Sequence, residues 1–351
     1  MTAKPLRYAM VGGGPKSFIG PVHRMAIRMD GLAELVDGCY SHADDWRALI
    51  ERVRGKVDFL VVCTPNSSHY EIASAALAAG LDVLCEKPLS LTAAEAARLG
   101  ALARRRRRVL GIPFTYTGFP MVKLARDLVR RGELGRIDKV VVEYLQGSFR
   151  RKNAKSRAWK MDPRIAGPSC VVADIGVHGF TLVEYVTGLE VKELVADLSC
   201  YGNAAGLDDD ASILMRLTKG AKASFDVSKI ATGEENGMRL RVYGEHASLF
   251  WDQEESNYLH LKFADAPERI YKRRASYIDP LSAAATRASR FPAGHHEGFV
   301  EAFANIYDEF CAAVRDRRPH DFPGAREGVR SMRFVEAALA SSKAGAVWRR
   351  L

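Results

Sequence analysis

Along the N-terminal third of the chain, short β-rich apolar runs alternate with stretches of helical periodicity, the pattern of parallel βαβ units. Residues 6–11 form the first apolar run. After a cluster of glycines, Phe18, Val22, Met25 and Met29 recur at steps of four, three and four, which predicts a helix laying its apolar face on a sheet. Further strands are predicted over 35–40, 59–63, 81–85 and 109–113, separated by helices over 44–54, 67–79 and 92–107. Thr92, with Glu95 three residues on, is a capping-box start for the last of these helices. The sum is a doubly wound parallel sheet.

Near residue 120 the pattern changes. A helix over 121–131 ends at Gly132, and longer strand candidates follow over 139–145, 194–200, 211–217, 221–228, 238–243, 247–251 and 258–263. Short turns such as Lys219-Gly220 and Gly244-Glu245 favour antiparallel pairing. The chain therefore reads as α/β with two domains. Residues 1–120 carry the parallel sheet, and residues 121–351 a large, mostly antiparallel sheet packed by helices over 174–185, 297–314 and 324–342.

Composition narrows the class. With 47% hydrophobic and 27% charged residues, disorder is excluded, and no run approaches the roughly 18 to 20 apolar residues of a spanning helix. The first residues run straight into a strand with no cleavable apolar segment, so a cytoplasmic protein away from membranes is expected. The six cysteines form no C-x-x-C pair, which predicts reduced, buried thiols and no metal site. A net charge of +10 asks for an anionic partner: nucleic acid, a phosphorylated cofactor or an acidic substrate. Five of the cations, Arg104 to Arg108, close a predicted helix, where they complement its dipole. No zinc finger or RNA-recognition signature accompanies them, so nucleic acid is not expected.

The chemistry concentrates at strand ends. Gly12-Gly13-Gly14 sits between the first strand and helix, where a pyrophosphate would rest on free helix N–H groups; Gly12, Gly14, Ser17 and Phe18 would surround it. Counted as G-x-G-x-x-G, the third glycine is replaced by Ser17, and the same segment also reads as a tight turn without ligand. The second strand ends in Tyr40-Ser41-His42 with no carboxylate at its tip, which leans toward NADP over NAD. Asp44 is either a ribose clamp or a helix cap, the cap being favoured. Thr64-Pro65-Asn66, with His69, and Cys85-Glu86-Lys87-Pro88 follow two later strands, at the ends where open parallel sheets bind ligands. Proline holds the preceding Lys87 extended and aims its ammonium into the crevice. Asp174 and His178, at i and i+4, share one helix face; alone, they read equally as a cap and a packed core histidine.

Taken in order, the glycine turn, T-P-N-x-x-H, E-K-P and D-x-G-x-H resemble the Gfo/Idh/MocA family, the glucose-fructose oxidoreductase and inositol dehydrogenase group, over essentially the whole chain. The resemblance implies an N-terminal Rossmann domain binding NAD or NADP, and a C-terminal α/β domain whose sheet mediates dimers or tetramers. It implies hydride transfer at a secondary hydroxyl or keto group of a sugar, cyclitol or derivative. Lys87 then becomes the lysine on the substrate and nicotinamide side, His178 the acid/base and Asp174 its substrate-binding partner. Glu86 is the structural acid of E-K-P, and Lys87–Pro88 a cis peptide. Ser41, His42, Thr64, Pro65, Asn66 and His69 fall on the cofactor side; Tyr116, Trp159, Lys160 and His296 fall on the substrate side, His296 being equally a cap or surface residue. The chemistry agrees: an alcohol loses its proton to a base of near-neutral pKa, while a cation stabilises the developing alkoxide.

Two departures stand out. Only sixteen residues, 42–57, separate the second strand from Asp58, and Lys16 occupies a position that is small in many members. The segment 147–160 holds Arg150, Arg151, Lys152, Lys155, Arg157 and Lys160 without an acid. It is either a solvated loop or a cover that contacts an anionic substrate, with Trp159 stacking on a sugar face. Reduction of an imine or another unsaturated bond, and a non-catalytic dinucleotide sensor, remain the alternative functions.

Overall fold

The computed structural model describes residues 4–15, 17–40, 45–150, 159–201 and 206–351. The chain divides into two compact units, Met1–Gly118 with Phe299–Met332, and Phe119–Gly298 with Arg333–Leu351. In the first, β1 (Leu6–Gly12), β2 (Ala33–Cys39), β3 (Phe59–Cys63), β4 (Asp82–Cys85) and β5 (Leu110–Gly111) form a parallel sheet in the order β2-β1-β3-β4-β5. Helices α1 (Ile19–Met29), α2 (Trp46–Val53), α3 (His69–Ala78) and α4 (Ala93–Arg106) connect them. Strand β3 is buried at every position, which is why its sequence is one continuous apolar run without alternation.

The two helix starts differ in how they follow the sequence. Thr92 caps α4 by accepting from the Glu95 N–H at 3.2 Å, and the Glu95 carboxylate takes the Leu91 N–H at 3.2 Å. For α2 the cap is Asp45, which accepts from the N–H groups of Arg47 and Ala48 at 2.8 and 3.3 Å; Asp44 lies outside the described residues.

Helix α1 turns a different face to the sheet from the one predicted. Phe18, Met25 and Met29 are 76%, 50% and 39% exposed, whereas Gly20, Val22, His23, Ala26 and Ile27 are buried. The buried stripe has helical spacing only if a histidine counts as core. His23 reads as polar in the sequence, and it is buried because both its ring nitrogens meet hydrogen-bond partners.

The second unit begins with α5 (Pro120–Arg130), β6 (Ile137–Leu145), α6 (Pro163–Ala166) and α7 (Val177–Thr187). It continues through β7 (Val191–Ser199), β8 (Asp210–Leu217), β9 (Lys222–Ser228), β10 (Gly237–Gly244), β11 (Ser248–Asp252), β12 (Tyr258–Lys262), β13 (Arg269–Lys272) and α8 (Ala283–Arg287). With β14 (Arg349–Arg350), the described strands make a nine-stranded sheet, β13-β12-β11-β10-β6-β9-β8-β7-β14. Every pair is antiparallel except β6 with β9. Alternation in β8 buries Ala211, Ile213, Met215 and Leu217, and leaves Leu214 exposed on the other face.

The closing helices are α9 (Phe299–Asp316) and α10 (Ala325–Lys343). The sequence pattern placed both with the second domain, but α9 and residues 325–332 of α10 belong to the first unit. Phe303, Ile306, Tyr307, Phe310 and Val314 of α9 share one core with Tyr8, Met10, Val22, Phe59 and Val61. Periodicity shows which face of a helix is apolar; it does not show which sheet, two hundred residues away in sequence, that face covers. Among the described residues no helix is long and apolar enough to cross a membrane.

Candidate active site

In the first unit the sheet order reverses direction between β1 and β3, the place where open α/β sheets bind ligands beyond their carboxyl ends. The glycine turn leaves β1 there. Gly12 and Gly13 adopt φ of 82° and 72°, and a Cβ on Gly12 would stand 2.3 Å from the Cys63 carbonyl oxygen. The glycine that brings helix and strand together is Gly20, not position 17. Its Cβ would lie 2.2 Å from the Gly13 carbonyl oxygen, so α1 starts directly on the turn. Ser17 instead accepts the Gly20 N–H at 3.1 Å, and Arg24 holds the Gly13 carbonyl at 2.8 Å. Phe18 faces solvent and stacks on Phe299 at 6.4 Å.

Asp37, inside β2, is engaged by Arg52 at 2.8 Å, and that hydrogen bond holds its carboxyl below the usual range. The described part of the β2 tip thus presents Tyr40 and no unengaged carboxylate; Ser41 and His42 lie outside the described residues, as does Lys16.

The two following turns are bolted to each other. Asn66 is buried in a short turn, Asn66–Ser68, and the Ser68 hydroxyl donates to Thr64 Oγ1 at 2.8 Å or to the Pro65 carbonyl at 2.9 Å. His69 is buried, with Nδ1 2.7 Å from the Pro88 carbonyl and Nε2 2.8 Å from that of Thr64. Burial pushes its pKa below the ordinary value against the pull of those carbonyls. His69 is therefore a brace joining T-P-N to E-K-P. The Lys87–Pro88 peptide is cis.

Behind Lys87 runs a buried polar chain. The Lys87 N–H donates to Glu86 Oε2 at 3.0 Å, His23 Nε2 donates to Glu86 Oε1 at 3.0 Å, and the Tyr307 hydroxyl lies 2.6 Å from His23 Nδ1. Burial alone would raise the Glu86 carboxyl; the His23 hydrogen bond and the charges of His23, Lys87 and His69 outweigh it and bring the group below its ordinary value. Tyr116 is also buried, in the turn Thr115–Gly118. That turn is gripped by Asn305, which donates to the Gly118 carbonyl at 2.8 Å.

In the second unit, Asp208 organises the approach to α7. Its buried carboxylate accepts from Ser169 Oγ and from the N–H groups of Cys170 and Val172, each at 2.9 Å. Burial pushes its pKa up, and these donors pull back. The chain then winds through a π-helical turn, Val172–Gly176, before α7. Asp174 lies in that turn and His178 in the first turn of α7. Asp174 Oδ2 receives two ammonium groups, Lys160 Nζ at 2.7 Å and Lys229 Nζ at 2.5 Å. His178 is buried with its ring edge against Tyr144, centroids 6.3 Å apart.

Lys160 thus spends its charge on Asp174, and it also lies over the half-buried Trp159 ring at 5.6 Å. Arg151, Lys152, Lys155 and Arg157 lie outside the described residues. His296 is exposed ahead of α9, which begins at Phe299 and not at 297, and its ring edge meets Tyr258 at 6.1 Å. The neighbouring Glu297 is a structural acid, buried against Arg273 at 2.7 Å. His23, Tyr307, Gly20, Asp208 and Lys229 went unread in the sequence. Of these only His23, a polar residue within the apolar spacing of α1, carried a signal in the sequence. Among the described residues no group of three or more His, Cys, Asp or Glu could hold a metal.

The first unit fits a dinucleotide: a glycine turn that no side chain could enter stands at the switch point, opening onto a helix start. Comparison with known proteins bears on this directly. A family model described as an oxidoreductase family with an NAD-binding Rossmann fold matches residues 33–114, and the GFO/IDH/MocA C-terminal domain model matches residues 122–250. The uncharacterized oxidoreductase YfiI of Bacillus subtilis (strain 168) is 31% identical over 99% of this chain and 97% of its own. The levoglucosan dehydrogenase of Pseudarthrobacter phenanthrenivorans is 28% identical over 65% of this chain and 63% of its own. An inositol dehydrogenase homolog from Azotobacter vinelandii, solved with NAD+, superposes with a TM-score of 0.93 at 32% identity, covering 99% of this chain and 98% of that one. The same homolog has been solved with NADH and myo-inositol.

Proposed function

Because this chain belongs to the GFO/IDH/MocA family of oxidoreductases, we propose that it transfers a hydride between nicotinamide and a secondary hydroxyl or keto group of a cyclitol or related sugar. The observation that carries this reading is the charge state around Asp174. A carboxylate held ionised by two ammonium groups is an acceptor for a polyol hydroxyl, and it stands four residues before a histidine, the side chain suited to taking a hydroxyl proton near neutral pH. Bound at the glycine turn, the nicotinamide cofactor supplies the hydride acceptor. On the protein's side, Lys87 donates to the reacting oxygen and stabilises alkoxide charge, His178 takes the proton, and Asp174 orients a neighbouring hydroxyl.

The substrate class follows from the relatives and from the lysines. The Azotobacter homolog holds myo-inositol, and Lys160, one of the cations that suggested an acidic substrate, is turned toward Asp174 in an ion pair at 2.7 Å. A neutral cyclitol therefore comes first, and an anionic derivative second, on the strength of the basic segment 147–160. Cofactor choice rests on two opposing facts: the homolog carries NAD+ and NADH, whereas the described β2 tip offers no unengaged carboxylate to repel a 2′-phosphate. We assign use of both, with kcat/KM values within about tenfold of each other. A panel of cyclitols, neutral sugars and their acid or phosphorylated derivatives, assayed by reduced-nicotinamide absorbance with each cofactor, tests all three points. Turnover of none of them rejects the dehydrogenase reading.

We also assign self-association to the open face of the nine-stranded sheet, where Leu214, Tyr243 and Ile270 are exposed. A native mass of two or four chains is expected in light scattering, and a single-chain mass at micromolar concentration rejects it.

A further inference from the structure

We propose that Lys229 is a positioning residue that makes Asp174 a permanent carboxylate and fixes its orientation, with Lys160 as a second, exchangeable leg. The proposal rests on the reading of Asp174 and His178 as substrate residues. Its consequence is that Asp174 never carries the proton, and His178 alone does so among these groups.

Lys229 follows β9 and is anchored before its side chain begins. Its N–H donates to the Asp209 carbonyl at 2.8 Å, and its own carbonyl accepts the Phe149 N–H at 2.9 Å. The side chain is 2% exposed, passes over the Phe149 ring at 5.1 Å, and ends 2.5 Å from Asp174 Oδ2 and 3.7 Å from Cys170 Sγ. An ammonium so buried would shed its proton unless paired. Burial, the largest single influence, depresses Lys229, but the charge and hydrogen bond of Asp174, with the charges of Cys170 and Asp208, together outweigh it, and the group stays above its ordinary value. The two ions thus keep each other charged.

Lys160 meets the same oxygen at 2.7 Å, but its side chain is 25% exposed and it has solvent to return to. The three groups sum to two positive charges and one negative. Protonating Asp174 would leave two ammonium groups facing a neutral acid, one of them with no route to water. Asp174 is therefore an acceptor of fixed direction, suited to a donating hydroxyl and unsuited to general acid or base work.

The test is a set of single and double variants of the full chain: Lys229→Met, Lys160→Met, Asp174→Asn and Lys229→Met with Asp174→Asn. Thermal unfolding, NADH binding by fluorescence, and pH profiles with myo-inositol or the best substrate of the panel are measured for each. Lys229→Met is expected to lower kcat about a hundredfold and to move the acid limb of kcat/KM to higher pH, because Asp174 then titrates. Lys160→Met leaves the buried leg in place and should cost about tenfold or less, with little movement of the limb. Asp174→Asn strands a buried ammonium, so adding Lys229→Met should raise its melting temperature instead of lowering it further.

Additive losses of stability in the double variant would overturn the pairing. An unshifted acid limb in Lys229→Met would overturn the positioning role. If Lys229→Met is too unstable to assay, the stability of the double variant against Asp174→Asn decides alone. The underlying reading fails separately: full turnover in His178→Ala rejects it, whereas lost turnover there with an unshifted Lys229→Met profile rejects only the present inference.

Discussion

Lys87→Ala is expected to lower kcat by about a hundredfold to a thousandfold, the scale for removing one donor to a developing oxyanion, while NADH binding changes little. The variant removes the ammonium and the three methylenes that carry it, and leaves the backbone in place. The backbone is held independently, by the Glu86 carboxylate on the Lys87 N–H at 3.0 Å and by the His69 bridge from Pro88 to Thr64. The glycine turn proposed to receive the pyrophosphate stands at the end of β1 and is shaped by Gly20 and Arg24, neither of which touches the lysine side chain in the contacts described. His178→Ala should cost about a hundredfold to ten-thousandfold, again with cofactor binding retained, since His178 belongs to the other unit. Steady-state rates with the best substrate and fluorescence titration of NADH separate the two properties. Near-normal rates in both variants would remove Lys87 and His178 from the chemistry. Lost NADH binding in Lys87→Ala would make the lysine a cofactor ligand and nothing more.

What could be read from the sequence was local. The apolar run of β3, the Thr92 and Glu95 capping pair and the E-K-P and D-x-G-x-H strings each lie within a few residues, where spacing carries meaning. What could not be read joins distant segments. Lys229 reaches Asp174 across 55 residues, Asp208 reaches the Cys170 N–H across 38, and Tyr307 reaches His23 across 284. A lone lysine after a strand, or an aspartate in a turn, has no periodicity that announces a buried partner. The misread face of α1 has the same origin: hydropathy counted Met25 and Met29 and passed over His23, whose burial depends on a carboxylate and a phenol from elsewhere in the chain. The glycine motif failed at its third position for a different reason. The close approach of helix to turn is needed once, and Gly20 supplies it three residues later than the consensus spacing.

His23→Leu should destabilise the protein by about 3 kcal/mol at neutral pH, the upper end of the cost of leaving a buried hydrogen-bonding group unsatisfied, because the group left is the Glu86 carboxylate. The pH dependence follows from Glu86. In the native protein its folded pKa lies below the ordinary glutamate value of 4.5, because the His23 hydrogen bond and the charges of His23, Lys87 and His69 together outweigh burial. A depressed carboxyl stabilises the fold above its unfolded pKa, and that contribution is lost as pH falls through the folded value. Without His23 the largest remaining influence is burial, which raises the carboxyl, so the sign reverses: the charged form is penalised at neutral pH and relieved as the group takes up a proton. The difference in melting temperature between native protein and variant should therefore be largest near pH 7 and shrink as pH falls into the carboxyl range. Tyr307→Phe removes only the hydroxyl facing His23 Nδ1 and should cost about 1 kcal/mol with no such trend. Because Glu86 also holds the Lys87 N–H, His23→Leu should lower kcat with KM for the cofactor little changed, and His23→Gln, which restores a donor toward Glu86, should recover part of the loss. Thermal unfolding across pH, with steady-state kinetics on the same variants, checks each point; a melting difference that is flat with pH would show that His23 fills space behind the lysine and does not govern the charge of Glu86.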